Sequence, residues 1–414
     1  MPDETRSTRR SDAMRRSDAM RRSDVPRRAL DVPAGFPDGY ASGERSRDAL
    51  LVLSALRGIK PYQLHELAWS QATAEASLAA IRGGAAGSRA DQEWARALDP
   101  STVERDAEEL GARFVTPVDD EYLPVFLELL HDPPVALFVS GSSLTELPER
   151  VAVVGARNCS PTGNEVAMSI GAGLGGAGVC VVSGAARGID AASHRGALNS
   201  GGTSIAVLGS GHDLPYPKGS SELVQRIAAS GAVVSEYAPG VVAEPFRFPA
   251  RNRLVAALGS ALVVVEGAHG SGSMISVDHA LDLGRDVYAV PGPVTSPLAE
   301  IPLSLIRDGA TMIRGAEDLL DDLGYSARLL LEPPPNLQSD ERRVFEALGA
   351  SGLPDAISAA TALSLPAVTT ILLSLELKGL VRSSGGRYER RVAPLATAPG
   401  VEGAAAGAGE PSGR

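Results

Sequence analysis

Six cations, Arg157, Arg187, Lys218, Arg247, Arg251 and Arg253, stand in stretches of glycine, serine and aromatic residues that follow short apolar runs. The stretches are Gly155-Ala156-Arg157-Asn158, Ser183-Gly184-Ala185-Ala186-Arg187-Gly188, Tyr216-Pro217-Lys218, Phe246-Arg247-Phe248-Pro249-Ala250-Arg251-Asn252-Arg253 and, without a cation, Gly270-Ser271-Gly272-Ser273. A guanidinium presents a planar fork of donors that matches two oxygens of one phosphate. Glycine and serine at a helix start leave backbone N–H groups free for an anion. Tyr216, Phe246 and Phe248 add flat apolar faces on which bases can stack. A single loop arginine is usually a surface charge, so the signal lies in the convergence. The chemistry is that of a polyanion carrying bases. A dinucleotide cofactor is disfavoured, because Gly155 to Gly163 lacks the Gly-x-Gly-x-x-Gly spacing.

Residues suited to catalysis are sparse. Asp190 and His194 share a helix face at i, i+4, but no third metal ligand is in view, and they read as a helix-start aspartate and an incidental histidine. Ser193 beside His194 does not face it. Glu236 and Glu266 end apolar runs and read as partners that hold arginines. Cys180 lies in an apolar run and reads as core. Cys159 lies in a loop. No catalytic residue, metal ligand or cofactor is expected.

The elements that would position these stretches alternate. Val151 to Val154, Val179 to Val182, Ser204 to Leu208, Val233-Val234, Ala261 to Val265 and Val287 to Val290 read as strands. Pro161 to Gly176, Asp190 to Leu198, Ser221 to Ala229, Asn252 to Leu258 and Met274 to Leu283 read as helices between them. Fully apolar strands joined by helices mean an α/β fold, a Rossmann-like doubly wound parallel sheet, here over roughly 150–325. Ligands of such a sheet lie beyond the carboxyl ends of the strands, where all five stretches fall.

Around this core, 1–45 carries the repeat Arg9 to Met14, Arg15 to Met20 and Arg21 to Asp24, which is too polar to bury a core and reads as a disordered arm. Residues 46–112 read as an N-terminal helical, SAM-like domain. Residues 113–332 hold a bridging strand region and then the Rossmann-like domain. Pro333-Pro334-Pro335 is a linker. Residues 337–392 read as three helices and a hairpin, a C-terminal winged helix, and 393–414 as a disordered tail. The third helix of the winged helix offers Thr369, Thr370, Ser374 and Lys378 but no arginine, which suits protein contact better than base reading.

The net charge of the 414 residues is -11, which argues against a bulk polycation on nucleic acid and for a local pocket. Residues 48–150 carry -9, whereas 151–266 carry +1, so the anion site belongs to the middle segment. Only three lysines are present, and almost all positive charge is guanidinium. Two cysteines exclude a disulfide framework and a cysteine-rich zinc site. The polar, Arg-rich start is unlike a secretory signal. The longest uncharged run, Val166 to Ala186, is broken by glycines and reads as helix, turn and strand rather than a membrane span. A cytoplasmic protein without a membrane segment is expected.

Residues 150–325 resemble the core of the DNA-processing protein A family (DprA, also called Smf). The stretches that carry the resemblance include Val153-Val154-Gly155-Ala156-Arg157, Val182-Ser183-Gly184-Ala185-Ala186-Arg187-Gly188-Ile189-Asp190, Phe248-Pro249-Ala250-Arg251-Asn252-Arg253, Val264-Val265-Glu266, Ser271-Gly272-Ser273 and Ala289-Val290-Pro291-Gly292. The resemblance implies single-stranded DNA binding, a homodimer, and loading of the RecA recombinase during natural transformation. It places the pocket at Arg157, Arg251 and Arg253, with Lys218 nearby. The sequence departs from the family at Ile301 and Leu303, where a glycine and a polar residue are usual, near the implied dimer contact. The expected DNA site is Gly155, Arg157, Ser183, Gly184, Arg187, Lys218, Phe248, Arg251, Asn252, Arg253, Ser271, Gly272 and Ser273. The competing reading is a Rossmann-like nucleotide hydrolase of the phosphoribohydrolase type. Its Pro-Gly-Gly-x-Gly-Thr-x-x-Glu loop is absent from Glu266 to Ser273.

Overall fold

The structure is a computed structural model. It describes residues 33–325, 337–348, 351–378, 380–384 and 386–390. The repeat within 1–32, the proline linker and the 393–414 tail lie outside the described residues. The chain divides into two compact units, Met1–Leu331 and Glu332–Arg414.

The first unit begins with five helices, α1 (Glu44–Ser54), α2 (Pro61–Gln71), α3 (Ala74–Arg82), α4 (Arg89–Ala97) and α5 (Pro100–Glu109). Several starts carry their sequence signal. Ser88 caps α4 through its hydroxyl while Asp91 reaches back, and Asp99 caps α5 ahead of a proline. The arm expected over 1–45 gives way to packed chain sooner. Phe36 stacks on Tyr40 at 5.1 Å and Tyr40 is buried, because these aromatics, unlike the polar repeat, have an apolar surface to join.

Nine strands form one sheet in the order β1-β2-β6-β5-β4-β3-β7-β8-β9. They are β1 (Ala112–Val115), β2 (Leu137–Gly141), β3 (Arg150–Val154), β4 (Cys180–Ser183), β5 (Ser204–Val207), β6 (Ala232–Ser235), β7 (Ala261–Val264), β8 (Asp286–Ala289) and β9 (Thr311–Met312). The helices of this part are α6 (Pro124–Leu129), α7 (Pro161–Gly176), α8 (Ile189–Asn199), α9 (Ser221–Ser230), α10 (Arg247–Leu258), α11 (Ser273–Asp282), α12 (Glu300–Asp308) and α13 (Ala316–Asp322). Strands β3 to β9 pair in parallel, as the apolar runs foretell. The bridging region, which lies before the expected parallel sheet, adds two further strands to it. β1 pairs antiparallel with β2, and β2 antiparallel with β6, so the sheet is mixed. Phe114 and Phe138 face each other there, 5.1 Å apart, in one apolar core with Leu50, Leu53 and Tyr237. The five helices therefore share a core with the sheet edge. Among the described residues no single helix is long and apolar enough to cross a membrane.

The second unit holds α14 (Ser339–Leu348), β10 (Ser351–Gly352), α15 (Pro354–Thr361), α16 (Leu365–Leu377), β11 (Val381–Ser384) and β12 (Arg387–Arg390). Its strands run in the order β10-β12-β11, and Val344, Phe345, Leu348, Leu372 and Leu375 make its core. This is a winged helix with the short extra strand β10.

Candidate nucleic-acid interface

The strand order reverses where β3 meets β7, and the loops leaving these two strands flank a crevice at the carboxyl ends. A cavity of about 280 Å³ opens beside it, lined by Arg157, Asn158, Gly184, Ala186, Arg187, Tyr216, Pro217 and Phe248. Arg157 and Arg187 are exposed at its mouth. The Arg157 guanidinium lies over the Phe248 ring, 4.7 Å from its centre, and Tyr216 leans on the same ring at 5.3 Å. Among the described residues Arg157 makes no ion pair with a carboxylate. The lining thus offers positive charge and aromatic surface side by side.

Buried and half-buried groups hold the loops in shape. Glu266, just beyond β7, accepts hydrogen bonds from the Ser160 N–H at 2.8 Å and the Ser160 hydroxyl at 2.6 Å. The same hydroxyl accepts from the Gly163 N–H at 2.9 Å and so caps α7. Glu266 is therefore a strut for the Arg157 loop. After β4, the Gly184 N–H and, at 3.4 Å, the Ala186 N–H donate to the Asp190 carboxylate. The Gly184 carbonyl accepts from Arg251 at 2.5 Å. Ala185 between them holds a φ of 52°, a left-handed conformation that costs a non-glycine residue about 1 kcal/mol or more. Burial raises the Asp190 pKa, and the Arg251 charge opposes the rise.

Residues 113–324 match the family model described as DNA recombination-mediator protein A, and residues 331–387 the one described as DprA winged helix domain. The putative DNA processing protein DprA of Mycobacterium tuberculosis (strain ATCC 25618 / H37Rv) is 40% identical over 298 residues, covering 67% of this chain and 77% of that protein. The chain belongs to the DNA-processing protein A family. Protein Smf of Escherichia coli (strain K12) is 36% identical over 285 residues, covering 66% of this chain and 76% of that protein. The X-ray structure of DNA processing protein A (DprA) from Streptococcus pneumoniae superposes with a TM-score of 0.57 at 32% identity, over 68% of this chain and 98% of that one.

In this DprA-family chain the structure divides the expected site residues into two sets. Arg157, Gly184, Arg187 and Phe248 line the cavity, and Lys218 stands exposed one residue past Pro217. Asn252 donates to the Gly272 carbonyl at 3.2 Å, and the Ser271 and Ser273 hydroxyls bond each other at 2.5 Å, so these four form a neighbouring cluster after β7, outside the cavity lining. Gly155 permits close approach: a Cβ there would lie 2.7 Å from Ile189 and 2.9 Å from the Glu266 carbonyl.

Ser183, Arg247, Arg251 and Arg253 correct the sequence reading. The Ser183 hydroxyl is buried and donates to the Val153 carbonyl at 2.6 Å. Arg251 is buried beneath the cavity, on the Gly184 and Val207 carbonyls, and burial pulls its pKa down to about 10, which leaves it charged at neutral pH. Arg253 is buried against Glu236 and Asp132, with bonds of 3.0 and 2.7 Å to the Glu236 carboxylate. Burial works against its charge, and Glu236 and Asp132 outweigh it and raise the pKa. Arg247 donates to the Val242 and Arg57 carbonyls, tying α10 to the segment after α1. The cause is where α10 begins. It starts at Arg247, five residues before the expected start, because a proline is tolerated in the first turn of a helix. Arg247 and Arg251 then lie four apart on its inward face. Asn158, Ala186, Tyr216 and Pro217 are lining residues absent from the expected set. Each lies within two residues of an expected one, and Tyr216 also offers the flat face noted in the sequence, which are the signals that could have found them.

The acid–base candidates are also accounted for. His194 Nδ1 meets the Ser204 hydroxyl at 2.7 Å, which itself donates to the Val181 carbonyl. Burial pulls the His194 pKa down to about 3 and keeps the ring neutral. Among the described residues no cluster of three or more metal-ligating side chains forms. In the winged helix the polar groups of α16 are engaged at home. Thr369 and Thr370 donate to the Leu365 and Pro366 carbonyls, both at 2.9 Å, and Ser374 and Lys378 bond Glu341. Leu365, Leu373 and Leu377 are its exposed leucines. That face offers leucine in place of the donors that read base edges.

Proposed function

We propose that this chain binds single-stranded DNA and acts as a recombination mediator. The observation that carries the reading is the cavity with Arg157 and Arg187 at its mouth and Phe248 and Tyr216 on its wall. A duplex keeps its bases stacked inside, whereas a single strand offers phosphate and base face together. In line with the family, the partner that receives the strand is the RecA recombinase, the working form is a homodimer, and the setting is cytoplasmic natural transformation. The protein needs no cofactor and carries out no catalysis. Against the nucleotide-hydrolase alternative, both oxygens of Glu266 are engaged by Ser160.

Binding to unstructured oligonucleotides, followed by fluorescence anisotropy with duplex as competitor, tests the reading. Arg157, Arg187 and Lys218 are the exposed cations around the cavity. If each neutralises one phosphate, log affinity falls against log salt with a slope of about -2, at roughly 0.7 per phosphate. Equal affinity for duplex, or a flat salt response, refutes it.

A further inference from the structure

The segment between α1 and α2 is fixed from two sides. The N–H groups of Arg57 and Gly58 donate to the buried Asp91 carboxylate of α4, at 3.0 and 2.7 Å. A Cβ at Gly58 would lie 2.7 Å from the same carboxylate. From the other side Arg247, which opens α10, donates to the Arg57 carbonyl at 2.6 Å. The Arg57 side chain takes no part in either clamp. It is exposed, and its guanidinium lies 4.1 Å from the centre of the Trp94 ring, on a side chain that is itself 36% exposed. A guanidinium held flat on an indole keeps its outer plane for a base and its N–H edge for a phosphate.

Charge and position point the same way. Residues 48–150 carry -9, and Arg89 and Arg105 pair with carboxylates on their own helices. Arg57 and the exposed Lys60 form no ion pair among the described residues. Phe248 of the cavity follows Arg247 directly, so one residue joins the cavity to the Arg57 carbonyl. Arg247 feels the charge of Arg57 and that of Glu244, the acidic side chain of this stretch. We propose that the Arg57–Trp94 stack, with Lys60, is a second contact for single-stranded DNA, taken by the nucleotides that run past the cavity and across the start of α10. The proposal rests on the single-stranded DNA reading and extends it from the sheet to the five helices.

Two lengths of oligo-dT test it. A strand of about 5 nucleotides fills the cavity alone, and one of about 16 runs on to Arg57. Trp94→Leu weakens binding of the long strand about tenfold, the loss of one stacked base, and Arg57→Gln weakens it about three- to fivefold. Both leave the short strand within about twofold. In the unaltered chain the salt slope is steeper for the long strand by about 1.4, two phosphates at roughly 0.7 each, and Lys60→Gln removes half of that difference without touching the stack. Trp94 is one of two tryptophans, so the long strand quenches the intrinsic fluorescence, and Trp94→Leu abolishes the quenching. Circular dichroism melts of every variant keep the affinities per folded protein. Long-strand binding like the parent's in the variants, an equal loss on both lengths, or a loss on duplex alone overturns the second contact and leaves the single-strand reading standing. Failure of the unaltered chain to bind either strand overturns both.

Discussion

Replacing Arg253 separates a structural arginine from a DNA ligand. Its side chain is 2% exposed, its partner Glu236 6% and Asp132 25%. The guanidinium also donates to the main-chain carbonyls of Asp132 at 3.0 Å and Ala250 at 2.9 Å. Arg253→Met removes all of these and leaves the Glu236 carboxylate buried without its counter-charge. Deleting one partner of a buried pair costs about 3–5 kcal/mol. For a unit spanning Met1–Leu331 that corresponds to a fall in melting temperature of about 4–8 °C, at about 2.1 cal/mol/K of unfolding entropy per residue. Asp132 can rehydrate and softens the loss; Glu236 cannot. The companion variant Glu236→Leu with Arg253→Met removes both charges and recovers much of the stability. Urea unfolding gives the stabilities, and anisotropy on the folded fraction gives the DNA affinity. Because Arg253 is outside the cavity, affinity per folded molecule stays within about threefold. An Arg253→Met protein that melts like the parent but binds oligo-dT tenfold more weakly would refute this assignment.

Two other substitutions probe the scaffold. In Gly163→Ala the new Cβ would lie 2.3 Å from the Glu266 carboxylate. Alanine is normally worth about 1 kcal/mol over glycine in a helix, but displacing Glu266 from Ser160 reverses this to a net loss of about 1–3 kcal/mol, read by urea unfolding; a stabilised variant contradicts the strut. His194 is held at a pKa of about 3, against an ordinary 6.5, so the unfolded chain binds more protons between these values and stability is lost as pH falls below about 6.5. From pH 7 to pH 5 its share of that loss is about 2 kcal/mol, and His194→Asn lowers the pH dependence by that amount; identical slopes contradict the assignment.

The parallel core was legible because fully apolar four-residue strands alternate with helices, and Pro161 to Gly176 matches α7 end to end. The mixed edge was not, because Phe114-Val115 and Leu137 to Val139 carry no mark of direction, and pairing with β6 is a long-range choice. Arg157 and Arg187 were legible as cavity-lining residues because they lie in loops at strand ends, and Phe248 because it stands in the first turn of the helix that follows β6. Arg251 and Arg253 were misplaced because the sequence shows a charge without showing its face. A five-residue shift in a helix start turned Arg251 from a presumed loop ligand into a buried support, whereas Arg253 lay within the expected helix and was misplaced by its inward face alone. The role of Glu266 was half visible: it positions a loop, though through Ser160 rather than through an arginine.

The antiparallel edge also bears on how the protein is made. β2 pairs with β6 through contacts such as Ser140 with Val233, and Tyr237, Ala238 and Val241 complete the core beneath the five helices. At a synthesis rate of about 5–20 residues per second, the ribosome takes roughly 5–20 s to pass from β2 to Tyr237. For that interval the helices are out of the ribosome with their inner surface uncovered. The N-terminal part of this chain, though first to emerge, is thus among the last to finish, and a chaperone that shields apolar surface would find it waiting.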